Sequence, residues 1–267
     1  MQPTLDISLA DKFFHITPHG SEHPVLSMPA VSLLEPETMR SLLVAGRDML
    51  KGLGLDISLS FFGLGVFGLP AVVHTYMWQY DQVLDLSIEN ITVQVETHND
   101  HAHLVLCIDE VRWKPLPAEG RREAIAAELE QLFRHTVTPL IEAAAACAGL
   151  KPDLVWNQFG ARMISVSDYV LQHAPNEALK DKYRADLELL RTGLPAEVFH
   201  RRKNPYEHKP RFVESPTDAG KQLLIRSSCC MWYRREQGVK CYTCPILNDA
   251  QREEMKCQMR EKQGHSA

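Results

Sequence analysis

The chain concentrates its reactive side chains near the C-terminus, in the stretch CCMWYRREQGVKCYTC, residues 229–244. Cys229 and Cys230 are adjacent, ten residues separate them from Cys241, two more precede Cys244, and Pro245 follows at once. Consecutive side chains of an extended strand point to opposite faces, so neighbouring thiols converge on one centre only from a bent loop. Zinc sites draw their thiolates in pairs about two to four residues apart, and an adjacent pair suits them poorly. A centre of two irons is larger and offers four thiolate positions, which relaxes that demand. Four cysteines in the stretch match it, with zinc as the competing occupant.

The charge of the stretch points the same way. Between residues 226 and 244, Arg226, Arg234, Arg235 and Lys240 face Glu236 alone. A two-iron centre on four thiolates is formally dianionic when oxidised and gains a further negative charge on reduction, so nearby cations favour the reduced form. These four residues are therefore the candidate groups for tuning its potential. The competing account, for each taken singly, is a solvated face.

The order Cys-Cys, ten residues, Cys, two residues, Cys-Pro, preceded by Arg226 and enclosing Tyr233-Arg234, resembles the C-terminal signature of the FhuF-type ferric-siderophore reductases. Asn204-Pro205 upstream is similar to an Asn-Pro that the family carries before its cluster segment. The likeness spans roughly the last fifth of the chain. It implies a 2Fe-2S cluster on Cys229, Cys230, Cys241 and Cys244. It also implies a cytoplasmic oxidoreductase that adds one electron to iron(III) in hydroxamate-type siderophore complexes and releases iron(II). The chain departs from the family at its tail, where Cys257 and the residues after it extend past the usual end; Cys257 is expected on the surface of a last helix.

Such a reaction needs no nucleophile or general base, and no catalytic side chain is expected beyond the cluster ligands. The substrate is expected between the main domain and the cysteine module. Arg201, Arg202 and Lys203 are its candidate contacts, with Tyr206 as an apolar wall; the competing account is a solvated loop. The electron must come from an external donor: a ferredoxin, a reductase or a small reductant. Two other functions stay open, an iron-sulfur electron-transfer or sensor protein without siderophore substrate, and a zinc-stabilised interaction module. The long N-terminal portion disfavours a simple carrier, which needs little beyond the cluster segment.

The composition sets bounds on these readings. A net charge of −5 and a pI near 6.2 lack the basic surplus of a nucleic-acid binder, so no nucleic-acid partner is expected. The N-terminus, MQPTLDISLADKFFHITPHG, has no basic region followed by an apolar one, which predicts a cytoplasmic protein without a secretory signal. Reducing surroundings then steer clustered cysteines toward metal or redox chemistry rather than disulfides.

The elements that must position these residues predict an α+β fold: a mainly helical domain with a small antiparallel sheet, plus a C-terminal cysteine-rich iron-sulfur module. The division is expected at 1–220, scaffold and siderophore binding, and 221–267, cluster module with a terminal helix. A strand is predicted at Pro24–Ser27 and a helix from Pro36, with Met39, Leu42, Leu43 and Met49 on one face and Gly52–Gly54 ending it. The uncharged run Ile57–Val73 is about as long as the shortest bilayer span, but its three glycines and Pro70 predict a buried, broken helix pair. This leaves room for peripheral membrane contact.

A second helix is predicted from Pro70 to Tyr80. Alternation over Leu84, Leu86, Ile88, Ile91, Val93 and Val95, a turn at His98-Asn99-Asp100 and a return through HLVLCIDE predict a hairpin or meander. Arg121–Cys147 reads as a helix kinked by Pro139 and capped by Gly149. Further helices are predicted from Asp153, with Val155, Phe159, Met163, Val166 and Val170 on one face, from Asn176 to Thr192, and from about Asn248. Residues 195–220 read as a long connecting loop.

Some signals point elsewhere. Gly63-Leu64-Gly65-Val66-Phe67-Gly68 matches a dinucleotide-binding fingerprint letter for letter, but antiparallel strands follow it where a βαβ unit needs a parallel one, so packing is expected. His98, His101 and His103 are expected as a polar turn rather than a metal site. Cys107, Cys147 and Trp156 are expected in apolar surroundings, and Trp232 and Tyr233 to pack the module onto the domain.

Overall fold

The computed structural model describes residues 5–98 and 101–264. Its elements follow in order: α1 Ser8–Phe14, β1 Ile16–Thr17, β2 Leu26–Pro29, α2 Pro36–Met49, α3 Leu55–Val66, α4 Gly68–Tyr80, β3 Gln82–Leu84, β4 Ile91–His98, β5 His101–Ile108, β6 Trp113–Pro115, α5 Arg121–Leu132, α6 Thr138–Ala148, α7 Asp153–His173, α8 Glu177–Glu188, β7 Phe212–Glu214, β8 Gln222–Leu224 and α9 Asp249–Gly264. The protein is α+β and mainly helical. Its main sheet is small and mixed, in the order β1-β5-β4-β2, with β1 parallel to β5 and the other pairs antiparallel.

Helices α2, α5, α6 and α7 bury most of the stripe that their periodicity marks. Met39, Leu42 and Leu43 of α2 are buried, as are Ile125, Leu129 and Leu132 of α5, Leu140 of α6, and Val155, Phe159 and Met163 of α7. The α3–α4 pair is a continuous apolar stretch, Leu55–Tyr80, long and apolar enough by composition to cross a membrane. Yet 83% of its most apolar window is buried inside the protein, so it is the core helix pair around which the others pack.

The glycines of the fingerprint-like run sit on these helices and serve close packing. A methyl group on Gly63 would collide with the Val155 side chain of α7, and one on Gly65 with Leu104 of β5. The helix backbone approaches both neighbours more closely than any larger residue allows. The run lies inside the helix pair, with helix α3 and not a strand leading directly into it.

Local departures from the predicted pattern have identifiable causes. The early strand lies at Leu26–Pro29, two residues beyond its predicted start, where it pairs with β4 through Leu26 and Val95. The alternating segment 84–95 is not one strand. β3 turns away to pair with β6, and a 3₁₀ turn at Ile88–Asn90 separates it from β4. Asn90 fixes that corner: its side-chain amide donates to the carbonyls of Asp85 and Glu110, and its Oδ1 accepts from the Glu110 N–H. The kink expected at Pro139 is a π-helical turn at Phe133–Val137, immediately before α6. Proline cannot donate to the preceding turn, and the wider turn relieves the misfit.

The C-terminal segment has a small core of its own, built on Cys229, Cys244 and Leu247, and it is tied to the rest at three places. The bend after α2 pairs with it: Leu53 N–H donates to the Arg234 carbonyl, Glu236 N–H donates to the Lys51 carbonyl, and Arg234 Nε reaches Asp56 of α3 at 2.8 Å. Helix α7 also holds it, through the Ser227 hydroxyl, which accepts from the Ala161 N–H, and Ser228, which donates to the Leu154 carbonyl. Finally, Tyr242 donates to the Glu214 carbonyl of β7. The predicted division at 220/221 runs through the turn between β7 and β8, whose pairing joins the two sides.

Candidate iron-sulfur centre

The bend that adjacent thiols require is present. Cys229 and Cys230 lie in irregular chain, and Met231 takes a left-handed backbone conformation (φ 58°) before a 3₁₀ turn at Trp232–Arg234. On the other side, Cys244 N–H donates to the Cys241 carbonyl, closing the Cys-x-x-Cys turn, and Arg226 N–H donates to the Thr243 carbonyl. The four thiols thereby line one cavity of about 320 Å³, with Arg226, Arg162, Trp232, Tyr233 and Lys240 among its other walls.

The donors suit a group larger than a single ion. Cys229 and Cys244 are 5% and 2% exposed, and their sulfurs lie 3.7 Å apart. Two thiolates on one tetrahedral metal with bonds of about 2.3 Å sit about 3.8 Å apart, so this pair is spaced to share a metal. Among the described residues, no three His, Cys, Asp or Glu side chains come close enough to hold one ion. Cys230 and Cys241 line the same cavity, so the four thiols together would be available to a two-iron centre. Burial pushes the Cys229 thiol well above its ordinary range; the Met231 N–H acts the other way and the facing Cys244 thiol adds to the rise. A buried thiol in such surroundings ionises only against a bound cation.

The four candidate tuning residues divide by position. Arg226 Nη1 donates to Cys230 Sγ at 2.8 Å. Lys240 lines the cysteine cavity with its ammonium over the Tyr233 ring, 5.6 Å from its centroid. Arg235 stacks on Trp232 at 4.2 Å, and Arg234 is taken up by Asp56, so both act mainly to fasten the loop. Trp232 in turn packs on Phe61 of α3.

The candidate substrate contacts Arg201, Arg202, Lys203 and Tyr206 lie apart from the cysteines. Arg201 pairs with Glu142 of α6 and approaches Asp153. Arg202 and Lys203 are exposed. Tyr206 is 2% exposed among Phe133, Phe159 and Phe199. Asn204 explains this: its amide donates to the Leu190 carbonyl while its Oδ1 accepts from the Tyr206 N–H, a turn that drives the tyrosine into the core. None of the four lines either of the cavities that Cys230 faces.

A larger cavity of about 1050 Å³ opens beside the cysteines. It runs between α1, the α3–α4 pair, the start of β5 and the second half of α7, and it meets the C-terminal segment at Arg226, Cys230 and Trp232. Its walls are mostly apolar and aromatic, with Phe61, Phe67 and Tyr169 among them. Val166 and Val170, on the face of α7 that the periodicity assigns to the core, line this space instead.

Arg162 is the residue that sequence reasoning missed. It lines both cavities, and its guanidinium lies over the Phe67 ring, 5.8 Å from the centroid. Burial, together with neighbouring Arg226, pulls its pKa down to about 10, against an opposing pull from Cys230. It therefore stays charged at neutral pH. An arginine amid the apolar stripe of a helix, one residue before Met163, was the available signal.

The other singled-out residues are less eventful. Side chains of His98 and His101, and residues 99 and 100, lie outside the described residues; His103 packs edge-on against His15, centroids 5.0 Å apart. Trp156 is fully buried, Cys107 and Cys147 are half-buried, and Cys257 is exposed on α9.

Comparison with known families gives two matches. A family model described as ferric iron reductase FhuF-like transporter matches residues 68–214. A second, described as FhuF 2Fe-2S C-terminal domain, matches residues 226–245 and so spans the four cysteines that share the small cavity. No curated protein matches the chain.

Proposed function

Because the chain belongs to the FhuF-like ferric iron reductase family and carries a 2Fe-2S centre, we propose that it reduces iron(III) held in hydroxamate-type siderophores in the cytoplasm. Cys229, Cys230, Cys241 and Cys244 hold the centre, and the complex binds in the 1050 Å³ cavity. One observation carries this reading: of the four cysteines, Cys230 alone belongs to the wall of both cavities, so a complex bound in the large one would lie against a thiol of the cysteine site.

The centre, when bound, supplies one-electron transfer. That suffices, because iron(III) is a hard cation held tightly by oxygen donors, whereas iron(II) prefers softer ligands and is released more readily. No bond of the siderophore need break. The protein's own residues hold the complex against an apolar, aromatic wall, keep water from the space between it and Cys230, and surround the cysteines with positive charge from Arg226 and Lys240. The electron comes from an external donor, a ferredoxin, a reductase or a small reductant.

The purified holoprotein, reduced without oxygen and mixed with a ferric trihydroxamate and an iron(II) trap, is expected to be reoxidised as trapped iron(II) accumulates. A centre that stays reduced sinks the proposal. Cys230→Ala and Cys241→Ala are both expected to lose iron and acid-labile sulfide, while Cys257→Ala keeps them.

A further inference from the structure

We propose that Arg162 contacts the bound iron complex and stabilises the negative charge that the complex gains on reduction. The inference rests on the reductase reading above and goes beyond it in naming a side chain that favours the product of the electron-transfer step.

Taking one electron turns a neutral iron(III) tris-hydroxamate into an iron(II) monoanion. The electron arrives from the external donor through the cysteine site, no proton moves, and no bond in the siderophore is broken. A residue accelerates such a step only if it interacts more strongly with the charge as it develops than with the starting complex. A fixed cation beside the iron-bound oxygens meets that condition.

Arg162 is placed to be that cation. Among the described side chains lining the large cavity, the only arginines are Arg162 and Arg226, and no Asp or Glu is present. Arg226 is committed to the Cys230 sulfur. Arg162 forms no ion pair with any described carboxylate, and its guanidinium rests on Phe67, a wall of the large cavity that does not reach the cysteine cavity. Arg162 is part-buried beside a like charge and without a described carboxylate, which is costly to maintain, and Cys230 offsets only part of that cost. The negative charge that the complex gains on reduction offsets that cost, and the largely apolar walls strengthen the interaction.

Three measurements on holoprotein with full iron and sulfide content test this. Binding of the gallium(III) complex of a neutral trihydroxamate, which cannot be reduced, is followed by tryptophan fluorescence. Single-turnover oxidation of the reduced protein by the ferric complex gives the transfer rate, and a redox titration gives the midpoint of the centre.

Arg162→Gln is expected to bind the gallium complex within about threefold of the parent yet transfer its electron about tenfold more slowly or worse. Arg162→Lys, which keeps the charge and gives up the planar contact with Phe67, is expected to bind as the parent does and to transfer faster than Arg162→Gln. Loss of a cation also lowers the midpoint of the centre, which by itself speeds transfer to the complex, so slower transfer from a more reducing centre is the diagnostic result. Ser165→Glu, which lines the large cavity but not the cysteine cavity, is expected to slow transfer likewise, and it tests the idea should the glutamine variant fail to load.

An unchanged or faster rate in Arg162→Gln overturns the proposal. So does a loss of gallium-complex binding as large as the loss of rate, because the residue would then hold both oxidation states equally. Failure of the parent protein to bind or reduce the complex overturns this inference and the reductase reading together, whereas normal turnover with an indifferent Arg162 overturns this inference alone.

Discussion

His74 is the clearest case of a single side chain whose surroundings dictate a measurable property. It is fully buried on α4, its ring edge-on to Tyr183 at 5.2 Å and close to the Arg121–Asp186 ion pair. Burial pulls its pKa from 6.5 down to about 4, against the opposing effect of Asp186. The unfolded chain therefore takes up a proton near pH 6.5 that the folded one refuses until about pH 4. Stability present above pH 6.5 is expected to fall by about 3 kcal/mol across that window. His208, lowered by burial and Arg211, adds to the same slope. Asp81, which burial would raise but which Lys182 and Arg121 hold below its ordinary range, gives way only at lower pH. Denaturant unfolding at pH 7, 5.5 and 4.5 checks this: His74→Phe is expected to flatten most of the decline, and an unchanged slope would exclude His74 as its source.

At the scale of elements, α3 and α7 decide how the centre is presented. Gly63 lets α3 approach Val155 of α7, and the same two helices carry the groups that fasten the cysteine loop, Asp56 on α3 and the Leu154 and Ala161 backbone on α7. Gly63→Val is expected to cost about 1–3 kcal/mol of stability through overpacking, read from chemical denaturation. Addition of NAD or NADP should leave the unfolding midpoint of the parent protein unmoved; a shift would revive the dinucleotide account of the glycine run. The motif illustrates what letters alone omit, because the same spacing of glycines serves a helix crossing as readily as a phosphate loop.

For the molecule as a whole, the relation between the two cavities matters most. The large one is bounded by residues from both ends of the chain, from Leu9 of α1 to Thr243 beside the last cysteine. Filling it should separate substrate handling from cluster assembly. Val170→Trp, projecting from α7 into the large cavity, is expected to keep the iron and sulfide content but reduce ferric trihydroxamate turnover by about tenfold or more. Asn157→Trp, on an exposed position of the same helix, is expected to change neither. Loss of iron in the first variant would mean that the two cavities cannot be treated as separate sites.

The cysteine spacing, the Arg and Lys content of the loop, and the helical stripes were all legible in the sequence, because each depends on residues near one another along the chain. Local spacing identified the metal-binding segment, and periodicity found α2, α5, α6 and α7 with most of their buried faces. It could not tell a face that meets another helix from one that meets a cavity, since both must be apolar, and so Val166 and Val170 were assigned to the core. Nor could it assign the cations: Arg201 is neutralised by Glu142, 59 residues away, while Arg162 has no such partner among the described residues and lies beside a cysteine loop more than sixty positions later. The type and order of the four cysteines were set by the sequence itself. Which charges remain available to a substrate, and what faces Cys230, were decided only when distant segments packed, because charge compensation and cavity walls are properties of neighbours in space.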